Sequence, residues 1–300
     1  MRITQEPLII DAHESHVTHI AFTEDSKVLI SAGMDNAIRI WKAPDWEYTF
    51  ELDGHTKSVN TLAINEDERI LYSGSSDNSI KFWDLSERKE IFTLKGHKKP
   101  VVSLVISPEK ALLASGSYDG DVRLWSLETL EEYSILKGHP SHSTGISFAP
   151  DCSYVVTGGR DKNMLLWELP SATLKKKIPS HKEGTLAIQH FAKGKKAITF
   201  GLDQTLRIWN TYDWSVEKKL KVKHDKINSL TISPNKKYVA TTCDYSFQIW
   251  SLKKEELLID VNIQPKGVYT SAFSPDRKWF AVGSADKKIR IWNLVELLKK

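Results

Sequence analysis

Tryptophan recurs along this 300-residue chain with a regularity that leaves few folds open. Trp41, Trp83, Trp125, Trp167, Trp209, Trp250 and Trp292 are separated by 42, 42, 42, 42, 41 and 42 residues. Six residues ahead of each stands an aspartate: Asp35, Asp77, Asp119, Asp161, Asp203, Asp244 and Asp286. A histidine lies 28 residues ahead of the tryptophan in five repeats, at His13, His55, His97, His139 and His181. In the sixth it is His224, two residues closer, and the seventh has Gln264 there. A fixed period of this length is the mark of an array of supersecondary units that shield one another's apolar faces.

The segments between the markers read as strands. Val59-Asn60-Thr61-Leu62-Ala63-Ile64 alternates and is rich in β-branched residues. Turn chemistry follows at Ser107-Pro108-Glu109-Lys110, Ala149-Pro150-Asp151-Cys152, Ser233-Pro234-Asn235-Lys236 and Ser274-Pro275-Asp276-Arg277. Proline presets φ at the second turn position, and Asp or Asn tolerates the third. A second strand such as residues 111–116 leads to the aspartate turn, a third ends at the tryptophan (Ile38 to Trp41), and a fourth (Glu90 to Leu94) precedes the next histidine. Each repeat therefore predicts four short antiparallel strands.

With the period, the Gly-His pairs at Gly54-His55, Gly96-His97 and Gly138-His139, the recurring aspartate and the Trp83-Asp84 dipeptide, the chain resembles the WD40 (WD-repeat) family over essentially its whole length. Lys42, Ser126, Glu168, Asn210, Ser251 and Asn293 replace the dipeptide's aspartate elsewhere. The resemblance implies an all-β fold, a seven-bladed β-propeller of four-stranded antiparallel blades, with residues 1–300 forming a single WD40 domain. The last repeat stops soon after Trp292, without a fourth strand, whereas the N-terminus resembles a fourth strand without its first three. Residues 2–10 are therefore expected to form the outer strand of the last blade and close the ring, covering an open sheet edge.

The resemblance also implies a role for the repeated polar residues. The aspartate sits in the turn between strands two and three and accepts hydrogen bonds from the histidine and the turn backbone. A Ser or Thr four residues before the aspartate links the histidine to the indole; the candidates are Ser31, Ser73, Ser115, Thr157 and Thr199. One such set per repeat is a structural device, because catalysis needs one site rather than seven. The expected network is His13, Asp35, Trp41; His55, Ser73, Asp77, Trp83; His97, Ser115, Asp119, Trp125; His139, Asp161, Trp167; His181, Asp203, Trp209; His224, Asp244, Trp250; and Asp286 with Trp292. Blade six is a residue short near Asp244, so its network is in question. Blade seven, with Gln264 and Val282, lacks the pattern and is expected to be looser.

Composition narrows the rest. The formal charge is +4, from 42 basic and 38 acidic residues. This modest balance argues against a nucleic-acid partner, which calls for a more concentrated basic signal. Cys152 and Cys243 stand at non-equivalent positions and form neither a disulfide framework nor a metal set, which points to a reducing compartment. Without an apolar leader or a long apolar run, a cytoplasmic location is expected and no membrane association. No phosphate-binding loop, zincin helix or CxxC pair is present. No catalytic residue, metal or cofactor is assigned, and the chain is expected not to be an enzyme. His16, His19, His142 and His190, outside the repeat set, have no ligand-like spacing and are expected to be structural or surface histidines.

Function in such a scaffold belongs to its loops. In the WD40 family the face around the channel mouth is the usual docking surface; it carries the loop after each histidine and the residue before each aspartate. Here it reads as basic with aromatic character: Lys57, Lys98, Lys99, Lys182, Lys226 and Lys266 after the histidines, Tyr118 and Arg160 before the aspartates, and His16 and His142 in equivalent places, with only Glu14, Glu183 and Asp225 as acids. The expected function is a non-catalytic scaffold for protein–protein interaction, monomeric by itself, docking acidic or phosphorylated peptides there. A nucleic-acid-associated propeller and a propeller enzyme with a channel active site are the alternatives. On the opposite rim, Trp46 and Trp214 occupy equivalent positions and either cover a blade's end or anchor a partner.

Overall fold

Each repeat folds into one antiparallel sheet. The computed structural model describes residues 6–65, 69–109, 111–222, 227–263 and 267–299. In it, seven four-stranded sheets follow one another along the chain, so the protein is a seven-bladed β-propeller. Blade one shows the pattern: Val17–Phe22, Val28–Gly33, Ile38–Lys42 and Glu47–Leu52 pair in sequence order. The expected strands are found nearly residue for residue, for example Val59–Ile64, Leu112–Ser117 and Lys89–Lys95.

Burial explains the differing strand patterns. The last five residues of every second strand are buried, as in Leu112–Ser117 and Tyr154–Gly159, because both faces of the sheet are covered there. Outer strands such as Lys89–Lys95 are mostly exposed. The residue after the turn aspartate is left-handed at Asn36, Asn78 and Gly120 (φ 72°, 73° and 93°), which suits Asn and Gly. Against the outer strand, the pairing slips by one residue at Trp41, Trp125, Trp167, Trp209 and Trp250. The repeat tryptophan thus sits at a β-bulge, a device that re-aims a side chain.

The chain divides into two compact units: residues 1–71, 82–91 and 225–300, and residues 72–81 and 92–224. In the first, blade one packs on blade seven through Val17, Ile20, Leu29 and Trp41 against Ala272, Ala281, Ile289 and Ile291. Its other face packs Ile30, Ile38 and Ile40 against Val59, Leu62 and Trp83. Blades six and seven share a core with Phe247, Phe280 and Trp292. In the second unit, Ala114, Val122 and Leu124 of blade three meet Ile146, Phe148, Val155 and Trp167 of blade four, which in turn packs Val156, Met164 and Leu166 against Ile188 and Trp209. The close approach needs small residues: a Cβ on Gly116 would lie 2.4 Å from the Ser143 carbonyl.

The expected closure is made within the first unit. Leu8–Asp11 pairs antiparallel with the third strand of blade seven, Leu8 opposite Ile291 and Asp11 opposite Lys288. Ile10 is buried in the core shared by blades one and seven. The strand runs one residue beyond the expected 2–10, and residues 2–5 lie outside the described residues. After Trp292 the chain adds a short helix, Leu294–Leu297, that the strand pattern did not anticipate. Asn293 caps it by accepting from the Val295 and Glu296 amides, and Leu294 and Leu297 are buried.

Candidate functional site

The recurring polar residues form a repeated chain of hydrogen bonds. In blade three, His97 Nδ1 lies 2.9 Å from Asp119, His97 Nε2 lies 2.7 Å from Ser115 Oγ, and the Trp125 indole donates to that hydroxyl at 2.8 Å. Blade one repeats this with His13, Asp35, Ser31 and Trp41, blade four with His139, Asp161, Thr157 and Trp167, and blade five with His181, Asp203, Thr199 and Trp209. In blade two, His55 packs edge-on against Trp83 at 5.9 Å.

One set of proton positions uses every donor and acceptor of the chain once. The indole can only donate, so the hydroxyl accepts from it and gives its own proton to His Nε2. Nε2 is then the acceptor, and Nδ1–H points at the carboxylate. In blade five burial keeps the histidine neutral: the His181 pKa is pushed down to about 4 by desolvation, against the pull of Asp203. Burial alone would raise the aspartates. The His181, Thr205 and Lys182 hydrogen bonds outweigh it at Asp203, as His13, Glu14 and Arg39 do at Asp35, and both stay far below the usual carboxylate range.

Two blades depart from this plan. In blade six the second strand, Tyr238–Cys243, is separated from Ser246–Ser251 by only Asp244 and Tyr245. Thr241 takes the place of the linking hydroxyl, opposite Gln248, yet the buried Trp250 Nε1 has no hydrogen-bond partner among the described residues. His224 lies outside the described residues. In blade seven Val282 is buried at the hydroxyl's position, Asp286 pairs with Arg290 at 2.6 Å, and Gln264 lies outside the described residues. Sequence reasoning missed that arginine: Arg39 and Arg207, also four residues after the aspartate, pair the same way at 2.8 Å. The recurrence of Asp and Arg at that spacing was a readable signal.

The loop residues expected to bind partners fall into three groups. Within the second unit the structure brings Tyr118, His142 and Arg160 together. The Tyr118 and His142 rings lie 4.4 Å apart, and the Arg160 amide donates to the His142 carbonyl at 3.2 Å. Desolvation lowers the His142 pKa, with the charges of Arg160 and Lys99 adding to it. Lys98 flanks them, its amide held by Asp119 at 2.9 Å, and Lys182 likewise by Asp203 at 3.1 Å. The Lys182 loop abuts this group: a Cβ on Gly184 would lie 2.8 Å from Arg160 Cα. Lys57 is exposed in the other unit, and Lys226 and Lys266 lie outside the described residues.

Of the remaining histidines, His190 bonds Ser147 at 2.8 Å and the Tyr154 hydroxyl at 3.2 Å, joining blades four and five. Burial lowers it and His19 to about 4. Trp46 and Trp214 are buried, against Phe22 and Trp279 and against Tyr154 and Trp209, so they cover blade ends. Among the described residues no cluster of three His, Cys, Asp or Glu could hold a metal ion, and no helix is long and apolar enough to cross a membrane.

Seven four-stranded blades, with a histidine–hydroxyl–indole chain repeated inside blades one, three, four and five, define a repeat propeller. The model of the WD domain, G-beta repeat matches residues 5–42, 46–84, 88–126, 130–168, 216–251 and 261–293, well over half of the chain, and the protein belongs to that WD40 family. The first three strands of blade five fall outside those matches although its network is complete. No curated protein matches the chain. WD40 propellers are generally protein-interaction scaffolds and typically non-catalytic.

Proposed function

We propose that this protein is a non-catalytic docking platform, one propeller domain over residues 1–300, that captures an acidic or phosphorylated peptide. The site is the loop cluster of Lys98, Lys99, Tyr118, His142, Arg160 and Lys182. The supporting observation is a group of unpaired cations: none of Lys98, Lys99, Arg160 and Lys182 takes an ion-pair partner among the described residues. A guanidinium offers a planar fork to a carboxylate or phosphate, and flanking lysines add charge without fixing direction. Tyr118, 37% exposed, supplies an aromatic wall with a hydroxyl.

The test is binding of acidic and phosphorylated peptides by Arg160→Glu/Lys182→Glu protein. The reversal should weaken binding at least tenfold and leave the melting temperature unchanged, since both side chains are exposed. Binding that survives the reversal removes this face from the function.

A further inference from the structure

A second basic surface lies on the outer edges of blades four and five, away from the loop cluster. Residues 173–221 hold eleven basic and four acidic residues, a net of +7 against +4 for the whole chain. The rest of the protein is therefore net acidic, and the modest overall charge conceals a concentrated patch. The outer strand of blade four, Thr173–Pro179, carries Lys175, Lys176 and Lys177 and no acid. That of blade five, Val216–Lys221, carries Lys218, Lys219 and Lys221 against Glu217. All six lysines are exposed.

Protection of sheet edges does not account for them. Lysine on an edge strand deters pairing with another chain, but every blade has such an edge. The outer strands of blades one, three and six, Glu47–Leu52, Glu132–Leu136 and Glu256–Asn262, carry acids and no lysine. The outer strand of blade two, Lys89–Lys95, has two lysines and an acid, with Lys89 paired to Glu87; three lysines to a strand mark two adjoining blades, four and five. Lys176 donates to the Asp213 carbonyl at 2.8 Å, so the blade-four edge touches the loop that leads into the blade-five edge.

Between these blades opens a cleft of about 700 Å³. Lys193 and Lys195, both exposed, line it with Asp151, Asn210, Tyr212 and the Lys196–Glu217 ion pair of 2.7 Å. Lys177, Lys193, Lys195, Lys219 and Lys221 take no ion-pair partner among the described residues. Tyr212 is 97% exposed, and its amide is fixed by the Asn210 side chain at 3.0 Å. Its neighbour two residues on, Trp214, is buried, so the loop uses one aromatic for the core and holds the other in solvent.

We propose that this surface binds single-stranded nucleic acid. Exposed lysines without ion-pair partners beside a cleft, with an aromatic ring for a base to stack on, are what a single strand needs to track its phosphates and seat a base. The Asp151 carboxylate and the Asn210 amide, in the cleft, offer acceptors and a donor to base edges. A flat anionic bilayer would answer the lysines but has no base edges for Asp151 and Asn210 to meet. The site is independent of the peptide site on the loop cluster.

The experiment is fluorescence anisotropy of a labelled 15-nucleotide single strand against the full chain over a salt series, with vesicles of anionic phospholipid measured alongside. The logarithm of the affinity should fall linearly with that of salt. Lys193→Gln/Lys195→Gln/Lys219→Gln should reduce the slope by about 2, because each phosphate contact contributes about 0.7 on a single strand. Tyr212→Ala should weaken binding roughly 5- to 150-fold through lost stacking. Lys27→Gln/Lys278→Gln, exposed on blades one and seven, should leave it unchanged. No salt-dependent binding, an equal loss in the Lys27/Lys278 control, or binding to the vesicles alone overturns the proposal. Unchanged melting of the variants shows that any loss is not a folding defect.

Discussion

Replacing Ser115 with alanine tests whether the repeated hydroxyl is the keystone of a blade. The side chain is fully buried, accepts from the Trp125 indole at 2.8 Å and donates to His97 Nε2 at 2.7 Å. Alanine removes both partners at once and leaves a buried donor and a buried acceptor unanswered. Each orphan costs about 1–3 kcal/mol, so Ser115→Ala should lose about 2–6 kcal/mol. Trp125→Phe removes the indole donor in advance. In that background the hydroxyl's removal strands only the histidine, and the cost should fall by about 1–3 kcal/mol, which a double-mutant cycle reads as coupling. Blade six supplies the control within the same molecule. Thr241 holds the corresponding place, but the Trp250 indole has no partner. A Thr241→Ala/Trp250→Phe cycle should therefore show coupling near zero. The assay is equilibrium unfolding in urea, with the m-value checked to be constant. Equal coupling in the two blades, or none in blade three, would refute the assignment of donors and acceptors.

Removing residues 1–11 exposes the third strand of blade seven as an open edge and uncovers Ile289 and Ile291; the melting temperature should fall sharply, and an unchanged melt would mean the latch is dispensable. Acidification should destabilise the fold in two steps. His181, His190 and His19 have folded pKa values near 4 against 6.5 when unfolded, so their neutral forms favour the folded state above pH 6.5 and that stability drains away as pH falls from 6.5 towards 4. The depressed aspartates of the network, Asp35, Asp119, Asp161 and Asp203, lose theirs at still lower pH. His190→Phe, which restores the apolar residue that Phe22 and Phe148 place at the same repeat position, should flatten the first step by up to about 3 kcal/mol; a melting profile identical to the parent's would discount that histidine.

The fold was legible because its signal is repetitive and local. Strand limits, turn aspartates and the N-terminal closing strand all follow from offsets within one repeat, and seven copies average out the deviations of any single one. What escaped was what depends on a neighbour. Arg39, Arg207 and Arg290 look like solvent-facing residues of alternating strands, and only folding shows them closing on their own blade's aspartate. The Leu294–Leu297 helix was missed because its length is one turn, too short to carry a period. At the candidate site, Tyr118, His142 and Arg160 were named from repeat positions. Their grouping around the Arg160–His142 backbone bond depends on how blade three meets blade four.

The same reasoning locates where binding chemistry can be found in such a protein. A residue type that recurs at every repeat position is committed to the blade, as His97, Ser115 and Asp119 are. Specific function must come from positions where one repeat differs from the others. Arg160 stands where other blades have Met34, Ser76, Tyr118 or Leu202, and three lysines crowd the outer strand of each of two adjoining blades, where no other outer strand has more than two. His190 differs too, but its ring is spent on Ser147 and Tyr154 inside the blade contact and is not offered to solvent. Deviation from the repeat, joined to exposure and an unanswered charge, separates the two binding surfaces argued for here from the many polar residues that only hold the blades together.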